Sequence, residues 1–560
     1  MTANGVEFSL FAPYNESVAL TGSWNNWERI PMTKDEQGWW HVSVPLDDGD
    51  YEYKFVVKSL SYFMVGEEAH VADPRAVQLS ADFENACLKV RNGQRAITTY
   101  EWKHDDKPLP PNDALVIYEM HVGDFTGGPG DDQDGPKGRF QDVIDKLDYL
   151  AGLGVNAIEL MPCNEFPGYR SWGYNPRSIF AVENNYGSPD DLCRLVDECH
   201  ARGIRVIHDG VYNHSEDNAP LTKIDYTYWY HKENPDEPYN RFGPKFDYQH
   251  FDENLQVWPA RAHVCEAILF WIEHFHIDGI RFDATYLINH YEFLDWLHEQ
   301  IFKNVMHKPF YTIAEHIPQN PTIAGPDGPL DAAWHEHFYQ QMMSTITGMS
   351  RDGREPYNIE GIINVLDPRR DGFKGAFNVV NYIDNHDKER VMWELGQTGK
   401  WFDAPAFRRN KLGAALVLTA PGAPMIYMGQ EFGESAPKTT DWQKIDWSLL
   451  QNHNNADLMR YYAGLIGLRK HTRALQSNTF EPIFADQERC IFAFKRWDEG
   501  GGVVVVVANL NDDYEGEIQI GNWPGDGVWH EHVHNYNVQV QGGILKDHLA
   551  ESEVKIYIKV

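Results

Sequence analysis

The spacing of hydrophobic residues changes along the chain and divides it into three parts. In residues 1–98, apolar and polar positions alternate over short stretches, at 6–12, 17–22, 39–44 and 51–57, and turn-rich segments such as 47–50 separate them. A period of two is typical of strands with one buried face. The pattern therefore predicts an N-terminal β-sandwich over residues 1–98.

The middle of the chain alternates between buried strands and amphipathic helices. After a Pro-rich linker at 107–112, residues 114–123 are apolar on both faces, as parallel strands usually are. Residues 140–153 then show helical spacing, and 155–162 give the second strand. The alternation continues to about residue 432 and yields eight strand candidates. It predicts a parallel sheet closed into a (β/α)8 TIM barrel over residues 112–475.

Two further segments complete the predicted architecture. After the third barrel strand, an insertion at 215–258 is polar but dense in aromatic residues. Connections of this length are usually functional or disordered, and the aromatic content argues against disorder, so we expect the insertion to form one wall of a cleft. From residue 476 to 560 the pattern returns to alternating strands. This region predicts a C-terminal all-β domain.

Composition narrows the choice of partners. The chain has 560 residues, with 49 basic against 83 acidic side chains and a net charge of −34, which repels nucleic acid and anionic membranes. No segment approaches the ~18 uninterrupted apolar residues of a membrane span. The six cysteines are scattered without a CxxC pair, and the N-terminus shows no signal-like pattern. We therefore expect a cytoplasmic monomer that binds neither nucleic acid nor membrane.

Four of the predicted strands end in ionisable residues. The stretch from Gly279 to Ala284 places Arg281 and Asp283 two positions apart, on one face of a strand. The corresponding residues at the other strand ends are Asp209, Glu315 and Asp387. Asp283 and Glu315 lie 32 residues apart, the length of one strand–helix unit of a barrel. Because the strands of a barrel end on one face, we expect all four carboxylates to converge there.

In order and spacing, these four segments resemble the short sequence regions of the α-amylase superfamily of retaining glycoside hydrolases and transglycosidases, glycoside hydrolase family 13. Residues 22–32, which contain Trp24 and Trp27, are similar to the glucan-binding modules at the front of branching and debranching enzymes. These two rings either stack on a glucan or belong to the core of the module. The resemblance implies an α-glucan or malto-oligosaccharide substrate and a covalent glycosyl-enzyme intermediate.

The resemblance also implies roles for the carboxylates: Asp283 as nucleophile, Glu315 as general acid and then base, and Asp387 as the carboxylate that binds sugar hydroxyls. Retaining hydrolysis places the first two ~5–5.5 Å apart. The residues themselves suggest how their pKa values separate. Arg281 should keep Asp283 ionised, whereas Glu315 has no cation on its own strand face, so its pKa is expected to rise toward the working pH.

Further residues are predicted to bind the substrate. Tyr174 matches the family's stacking ring beneath the sugar that is cleaved. His214 and His386 each adjoin a candidate site segment and are expected to donate hydrogen bonds to sugar hydroxyls. Asp209 is expected to brace Arg281 rather than to react. Together with the catalytic carboxylates, these residues form the predicted site.

No metal or other cofactor is predicted, with calcium as the alternative. Asn213 matches a position that ligates calcium in many amylases, and the acidic turn at 131–135 offers oxygen ligands. That turn lacks a spaced bidentate glutamate, so a solvated loop is the preferred interpretation. The histidines and cysteines show no zinc pattern.

The resemblance implies hydrolysis of α-1,4 or α-1,6 bonds in glycogen- or starch-type glucans or malto-oligosaccharides. Two alternatives are other activities of the superfamily. Residues 428–433 and 446–447 resemble branching enzymes, and residues 315–321 and 330–338 resemble malto-oligosyltrehalose trehalohydrolases. A third alternative, a non-catalytic glucan-binding scaffold, requires a missing catalytic carboxylate, and none is missing.

Overall fold

A computed structural model describes residues 5–126, 138–232, 242–305, 308–399, 403–440 and 443–560. Among these residues, no helix combines the length and the apolar character that a membrane span requires. The described residues form an N-terminal β-sandwich, a central barrel and a C-terminal all-β domain, which confirms the predicted fold class.

The N-terminal module consists of two sheets with strand orders β1-β5-β4 and β3-β2-β6-β8-β9, and β7 pairs with β6. Its strands are β1 (Val6–Phe11), β2 (Val18–Gly22), β3 (Ile30–Pro31), β4 (Thr33–Lys34), β5 (Trp39–Val44), β6 (Gly49–Lys58), β7 (Glu68–Val71), β8 (Ala86–Arg91) and β9 (Gln94–Ala96). Alternate residues of β1 are buried, because every second side chain faces the opposite sheet. The ring of Trp24 packs 5.3 Å from Phe8, whereas Trp27 is exposed beneath Lys54.

In the part of the chain that the structure describes, eight parallel strands close into the barrel, in the order β10-β11-β14-β15-β16-β17-β18-β19. The strands from the barrel start onward are β10 (Ile117–Met120), β11 (Ala157–Leu160), β12 (Asn164–Glu165), β13 (Ser178–Val182), β14 (Arg205–Gly210), β15 (Gly279–Phe282), β16 (Tyr311–Ala314), β17 (Ala332–Trp334), β18 (Val379–Asn381) and β19 (Ala423–Tyr427). β12 and β13 pair with each other outside the barrel. The barrel strands are buried on both faces, which explains their continuous apolar sequence.

Helices surround the barrel and extend into its connections. They are α1 (Val122–Phe125), α2 (Phe140–Ile144), α3 (Leu147–Leu153), α4 (Pro189–Ala201), α5 (Pro220–Trp229), α6 (Pro259–Phe275), α7 (Thr285–Ile288), α8 (Tyr291–Asn304), α9 (Glu336–Thr347), α10 (Ile359–Leu366), α11 (Val391–Gln397), α12 (Ala404–Thr419) and α13 (His453–His471). α4 begins with a capping box, in which Ser188 and Asp191 each accept a backbone N–H from the other.

The insertion after the third barrel strand contains α5, and residues 233–241 of it lie outside the described residues. It is joined to the N-terminal module through backbone groups of α5. Ser61 Oγ donates to the carbonyl of Thr222 at 2.5 Å, and Asn15 Nδ2 donates to the carbonyl of Ile224 at 3.0 Å. The hydroxyl of Tyr14 also donates to Asp252. The wall formed by the insertion therefore packs directly against the module.

The lower end of β15 begins with a buried ion cluster centred on Asp278, which is fully buried. Its carboxylate accepts hydrogen bonds from Lys308 Nζ at 3.0 Å, His200 Nε2 at 2.8 Å and the backbone N–H of Val206 at 2.8 Å. Burial opposes ionisation, but these partners outweigh it and lower the pKa of Asp278 to about 2. Asp278 is therefore a fully paired carboxylate.

The C-terminal domain has its own small core around Trp529 and packs against the barrel through buried arginine. Arg496 Nη1 donates to the carbonyl of Thr419 at 2.7 Å. The strands of this domain are β20 (Glu481–Asp486), β21 (Ile491–Trp497), β22 (Val503–Asn509), β23 (Gly516–Ile520), β24 (Gly527–Glu531), β25 (Tyr536–Val540), β26 (Leu545–Leu549) and β27 (Val554–Lys559).

Candidate active site

The centre of the site is the guanidinium of Arg281, which is fully buried on β15. Nη1 lies 2.7 Å from Asp209 Oδ1 and 2.9 Å from Asp283 Oδ1, and Nη2 lies 3.0 Å from Glu315 Oε2. The guanidinium plane also lies 4.3 Å from the ring of Trp334. The three carboxylates follow or end neighbouring strands β14, β15 and β16, as the sequence predicted.

One expectation about this cluster considers too few neighbours. It rests on the absence of a cation from the strand face that precedes Glu315. In the structure Arg281 reaches it from the neighbouring strand, at 3.0 Å. The side chain of arginine is long enough to cross between strands, so the same-strand rule does not decide its partners. Arg281 therefore contacts both predicted catalytic carboxylates.

The cluster also has more carboxylates than positive charge. Burial raises the pKa of Asp283, the neighbouring Glu315 raises it further, and Arg281 acts in the opposite direction without cancelling these effects. Burial likewise raises the pKa of Asp209, against Arg281. The expectation that Arg281 alone keeps Asp283 ionised is therefore too simple. Burial and the neighbouring carboxyl group together favour the protonated form of Asp283.

The backbone after Asp283 points toward Glu315. Ala284 adopts a left-handed conformation, with φ 49°, and its N–H donates to Glu315 Oε2 at 2.8 Å. The N–H of Thr285 donates to the carbonyl of Glu315 at 2.9 Å. Left-handed conformations of residues with a Cβ are uncommon and are concentrated at functional sites. This turn fixes the two carboxyl groups relative to each other.

Asp283 and Glu315 each leave one carboxyl oxygen available. Neither Asp283 Oδ2 nor Glu315 Oε1 forms a hydrogen bond within the described chain, and the two side chains are 11% and 14% exposed. The oxygens that face Arg281 are fixed, while the other two are free to meet a ligand. This is the arrangement that a pair of reacting carboxyl groups requires.

His386 and Asp387 follow β18 on the same face of the barrel. His386 Nδ1 lies 2.6 Å from Glu119 Oε1, and Nε2 lies 3.3 Å from Asp387 Oδ1. Burial lowers the pKa of His386, but Asp387 and Glu119 outweigh it and raise it to about 9. His386 is therefore an imidazolium at neutral pH. The side chain of Asp387 is 44% exposed, so it is open to a ligand.

Tyr174 lies beside these residues, as predicted. Its ring stacks on the imidazole of His386, with centroids 4.7 Å apart, and its hydroxyl donates to Asp209 Oδ2 at 2.5 Å. His214 differs from the prediction. Its Nε2 lies 2.8 Å from the carbonyl of Tyr174, and its Nδ1 lies 3.2 Å from Asn213 Nδ2. Both ring nitrogens have partners within the protein, so His214 supports the segment that carries Tyr174 rather than presenting a donor to sugar.

Sequence reasoning missed two supporting residues. Glu119 on β10 pairs with His386, and its signal was a carboxylate within an otherwise apolar strand. Lys438, in the connection after β19, is buried with its ammonium group against Asp384 Oδ1 and the carbonyls of Asn385 and Lys388. It thereby holds the loop that carries His386 and Asp387. The sequence around Lys438 gives no sign of this contact, because the loop lies about 50 residues earlier in the chain.

Asn213, the residue that matches a calcium-ligating position, offers one oxygen to a possible metal ion. Its Oδ1 is buried without a hydrogen-bond partner in the described part of the chain, but Ca²⁺ takes 6–8 oxygen ligands. Among the described residues, no group of three or more His, Cys, Asp or Glu side chains is placed to hold a metal ion. The acidic turn at 131–135 lies outside the described residues.

The closed parallel barrel, with carboxyl groups gathered at the ends of its strands, has the architecture of a TIM-barrel enzyme. Comparison with models of known protein families identifies the family to which this enzyme belongs. Residues 117–461 match the model of the alpha amylase catalytic domain, residues 1–76 match carbohydrate-binding module 48 (isoamylase N-terminal domain), and residues 483–556 match the alpha amylase C-terminal all-beta domain. The chain belongs to the α-amylase family.

Curated relatives fall into two groups. A malto-oligosyltrehalose trehalohydrolase from Saccharolobus solfataricus is 28% identical over 83% of this chain and 85% of its own length. The 1,4-alpha-glucan branching enzyme GlgB from Vibrio cholerae is 28% identical over 92% of this chain and 73% of its own length. The two groups are equally distant in identity, so the relatives do not separate hydrolysis from transfer.

Solved structures share the fold along the whole chain. Pullulanase type I from Bacillus subtilis, complexed with maltose, superimposes with a TM-score of 0.81 at 20% identity, over 100% of this chain and 84% of that chain. Pullulanase from Anoxybacillus sp. LM18-11, complexed with maltotetraose, gives a TM-score of 0.79 at 18% identity, over 99% of this chain and 86% of that chain. At these identities the likeness establishes the fold.

Proposed function

We propose that this chain is a retaining α-glucan hydrolase in which Asp283 is the nucleophile and Glu315 the general acid and base. The observation that carries the proposal is the pairing of these two carboxyl groups on one guanidinium, each with one oxygen free. A single guanidinium spanning both groups is consistent with the ~5–5.5 Å separation of retaining enzymes.

The first step requires a proton on Glu315 and an ionised Asp283. With that proton on Glu315, Asp283 is ionised and Oδ2 attacks the anomeric carbon, while Glu315 Oε1 protonates the leaving glycosidic oxygen. The products are a glycosyl ester on Asp283 and an ionised Glu315. The number of carboxylates around Arg281 is unchanged, because Glu315 becomes ionised as Asp283 becomes a neutral ester, and the proton leaves on the oxygen of the released glucan. In the second step Glu315 removes a proton from water, which attacks the ester and restores the pair.

His386 and Asp387 are proposed to bind the sugar being cleaved. Burial raises the pKa of Asp387, but His386, Arg281 and nearby lysines together outweigh it and lower the pKa, so Asp387 stays an acceptor for sugar hydroxyls. A carboxylate accepts strong hydrogen bonds from hydroxyl groups, and these can tighten as the ring flattens in the transition state. Tyr174 is held beside this position by its contact with Asp209.

The substrate is proposed to be an α-glucan of the glycogen or starch type, or a malto-oligosaccharide. The family match supports this class, and the relatives named above act on such chains by their printed names. We also propose a cytoplasmic location, which is supported by the six cysteines, all of them free thiols.

Amylose incubated with the wild type and with Asp283→Ala tests the proposal. Hydrolysis predicts rising reducing ends together with falling iodine colour in the wild type and neither change in the variant. The newly formed reducing ends should first appear as the α-anomer in the NMR spectrum, because two displacements retain configuration. First appearance of the β-anomer, or full activity of Asp283→Ala, would contradict the assignment.

Branching transfer is the second candidate, supported by the 28% identity to branching enzymes. It predicts loss of iodine colour without net reducing ends until a debranching enzyme is added. A trehalohydrolase predicts release of trehalose from trehalose-capped malto-oligosaccharides and no attack on amylose. The same assay, run with both substrates, separates the three activities.

A further inference from the structure

Two fully buried glutamates lie at the base of the Tyr174 segment, residues 166–177, which connects β12 to β13. Glu165 ends β12 and Glu183 follows β13, and their carboxyl groups lie within hydrogen-bonding distance of each other. Because these strands pair outside the barrel, the two groups are distinct from the cluster around Arg281. Ionised carboxylates only accept hydrogen bonds, so a hydrogen bond between the two groups requires a proton on one of them.

Hydrogen bonds from the backbone indicate which of the two groups stays ionised. Glu183 accepts the N–H of Phe166 at 3.1 Å, the N–H of Asn185 at 2.8 Å and Nδ2 of the same asparagine at 2.5 Å. Glu165 Oε2 accepts the N–H of Asn184 at 3.2 Å, whereas Oε1 is buried without a donor among the described residues. Donors stabilise the anion. The geometry therefore favours a proton on Glu165 Oε1 and an ionised Glu183.

The electrostatic surroundings agree with this assignment. Burial raises the pKa of Glu165, and the neighbouring Glu183 raises it further. Burial also raises the pKa of Glu183, but the N–H groups of Asn185 and Phe166 act against that rise. The pKa of Glu165 is consequently raised more strongly than that of Glu183.

Other ionisable groups face the pair from the surrounding elements in the described part of the chain. Arg177 is charged, but its Nε donates to Glu216 Oε1 at 3.0 Å, so it has a carboxylate partner of its own. Burial raises the pKa values of Cys87, Cys163 and Tyr186, so these three groups are neutral near pH 7. A change of charge at this place near neutral pH therefore involves the two glutamates.

Both ends of the Tyr174 segment are attached to the pair. The N–H of Phe166, its first residue, donates to the side chain of Glu183. The N–H of Arg177, its last residue, donates to the carbonyl of Glu165 at 2.7 Å. A hydrogen bond between the two glutamates therefore connects the start of the segment to its end.

We propose that Glu165 and Glu183 share one proton and are thereby positioning residues for Tyr174. With the proton on Glu165, this group donates to Glu183 and closes the base of the segment. Without it, two buried carboxylates repel each other at close range, and the base opens. The role rests on the proposed function, because the ring of Tyr174 stacks on His386 in the proposed sugar site.

Infrared spectroscopy of the full chain detects the shared proton directly. A neutral carboxyl group has a C=O stretching band that a carboxylate lacks. At pH 7 the wild type should therefore show a carboxyl band that Glu165→Gln removes. Glu216→Gln is the matched control, because Glu216 contacts the same segment through an ion pair, and it should leave this band unchanged. Identical carboxyl bands in the wild type and Glu165→Gln would overturn the proposal.

A comparison of two substitutions at one position separates a hydrogen-bond donor from simple packing. Glu165→Gln keeps a donor toward Glu183, so kcat/KM on a malto-oligosaccharide should stay within about twofold of the wild type. Glu165→Leu has a similar size but cannot donate. Its kcat/KM should fall about tenfold or more, because small displacements of groups at a reacting centre are costly.

Hydrogen exchange followed by mass spectrometry measures the same positioning without substrate. Exchange in the Tyr174 segment should rise in Glu165→Leu and stay at the wild-type level in Glu165→Gln. Unchanged exchange in the barrel strands shows that the leucine variant is folded. Wild-type kcat/KM together with wild-type exchange in Glu165→Leu would contradict the positioning role.

Thermal unfolding at several pH values gives a third test. The pKa of Glu165 is raised from 4.5, so its stabilisation is complete below pH 4.5 and is lost as the pH rises through the pKa of the folded protein. Glutamine does not titrate. The melting temperature of Glu165→Gln relative to the wild type should therefore rise between pH 5 and 9. A difference that does not change with pH would show that Glu165 is not the protonated group.

The outcomes also separate this inference from the proposed function. If the wild type cleaves no α-glucan, but Glu165→Gln removes the carboxyl band and Glu165→Leu raises exchange in the Tyr174 segment, the shared proton stands and the proposed activity fails. If glucans are cleaved and neither substitution changes band or exchange, the activity stands and the shared proton fails.

Discussion

The aspartates at the two ends of strand β15 have pKa values that are shifted in opposite directions. At its start, Asp278 is paired with Lys308 and His200, and its pKa falls to about 2. After its end, Asp283 shares one guanidinium with Asp209 and Glu315, and its pKa rises. The first carboxylate has all the partners it needs, whereas the second competes for one cation. The start of the strand therefore adjoins a fully paired, ionised carboxylate, whereas its end adjoins a carboxyl group whose protonated form is favoured.

The largest effect that this comparison predicts is on Asp283. Asp283→Asn preserves shape but removes the nucleophile, so kcat should fall roughly 10³-fold or more. Because the substitution also relieves repulsion within the cluster, the melting temperature should stay equal or rise. Kinetics on amylose and thermal unfolding of the same preparation measure both. A melting temperature several degrees lower would mean that the cluster stabilises the fold and that the comparison is wrong.

Asp278→Asn should do the reverse. It leaves Lys308 beside a neutral amide in place of its carboxylate partner, which should lower the free energy of unfolding by roughly 3 kcal/mol. The kcat of the protein that remains folded should not change. Urea denaturation followed by fluorescence, with activity normalised to folded protein, gives the two quantities. A fall in kcat of the folded fraction would show that the two ends are coupled.

Two lysines whose ammonium groups pair with buried aspartates provide a matched pair of variants. Lys438→Met removes the ammonium group that holds the loop of His386 and Asp387, and kcat should fall up to about 10²-fold, because small displacements of a catalytic group are costly. Lys308→Met removes the partner of Asp278 and should lower stability without lowering kcat. Steady-state kinetics and thermal unfolding of both variants test the contrast. Equal kcat values for the two would reject a positioning role for Lys438.

The smallest predicted effects are those of pH. Asp278 loses its stabilising effect as the pH falls, whereas His386 loses its effect as the pH rises. The pKa of Asp278 is lowered from 3.8 to about 2, so its stabilisation is present above 3.8 and is lost as the pH falls toward 2. The pKa of His386 is raised from 6.5 to about 9, so its contribution is complete below 6.5 and is lost as the pH rises through 9. kcat/KM should fall above pH 9, where His386 no longer neutralises Glu119.

Single substitutions show which residue causes the acid change in stability and which causes the alkaline fall in kcat/KM. Asp278→Asn should flatten the acid dependence of unfolding, and His386→Gln should remove the alkaline fall in kcat/KM, at a lower plateau. An alkaline fall of unchanged midpoint in His386→Gln would assign it to another group. Denaturation and kinetics between pH 3 and 10 supply the two profiles.

The sequence predicted the carboxylates because the barrel imposes their convergence. Residues at the ends of neighbouring strands of a barrel must lie on one face. The spacing of Asp283 and Glu315 was therefore enough to predict that they lie close together. Asp387 was predicted in the same way. The sequence pattern could not predict the contacts that long side chains make with distant segments of the chain. Arg281 crosses to the neighbouring strand to contact Glu315, and Lys438 comes from a connection far along the chain.

The other differences have a similar physical cause. The partners of His214 include the backbone carbonyl of Tyr174, and backbone groups leave no trace in residue identity. The pKa of Asp283 depends on burial and on Glu315 together, and neither follows from the hexapeptide around Arg281. The sequence therefore predicted which groups meet more reliably than the charge that they carry.

The hydrogen bonds between the N-terminal module and α5 have a consequence for building chimeric enzymes. Asn15 and Ser61 bind carbonyls of α5, so the module supports the wall that shapes the cleft. If the module is removed or exchanged for another one, the carbonyls of α5 lose these hydrogen-bond partners. We expect this change to alter substrate selectivity even though no catalytic residue is changed. The unit to transplant between scaffolds is therefore the module together with the insertion it holds.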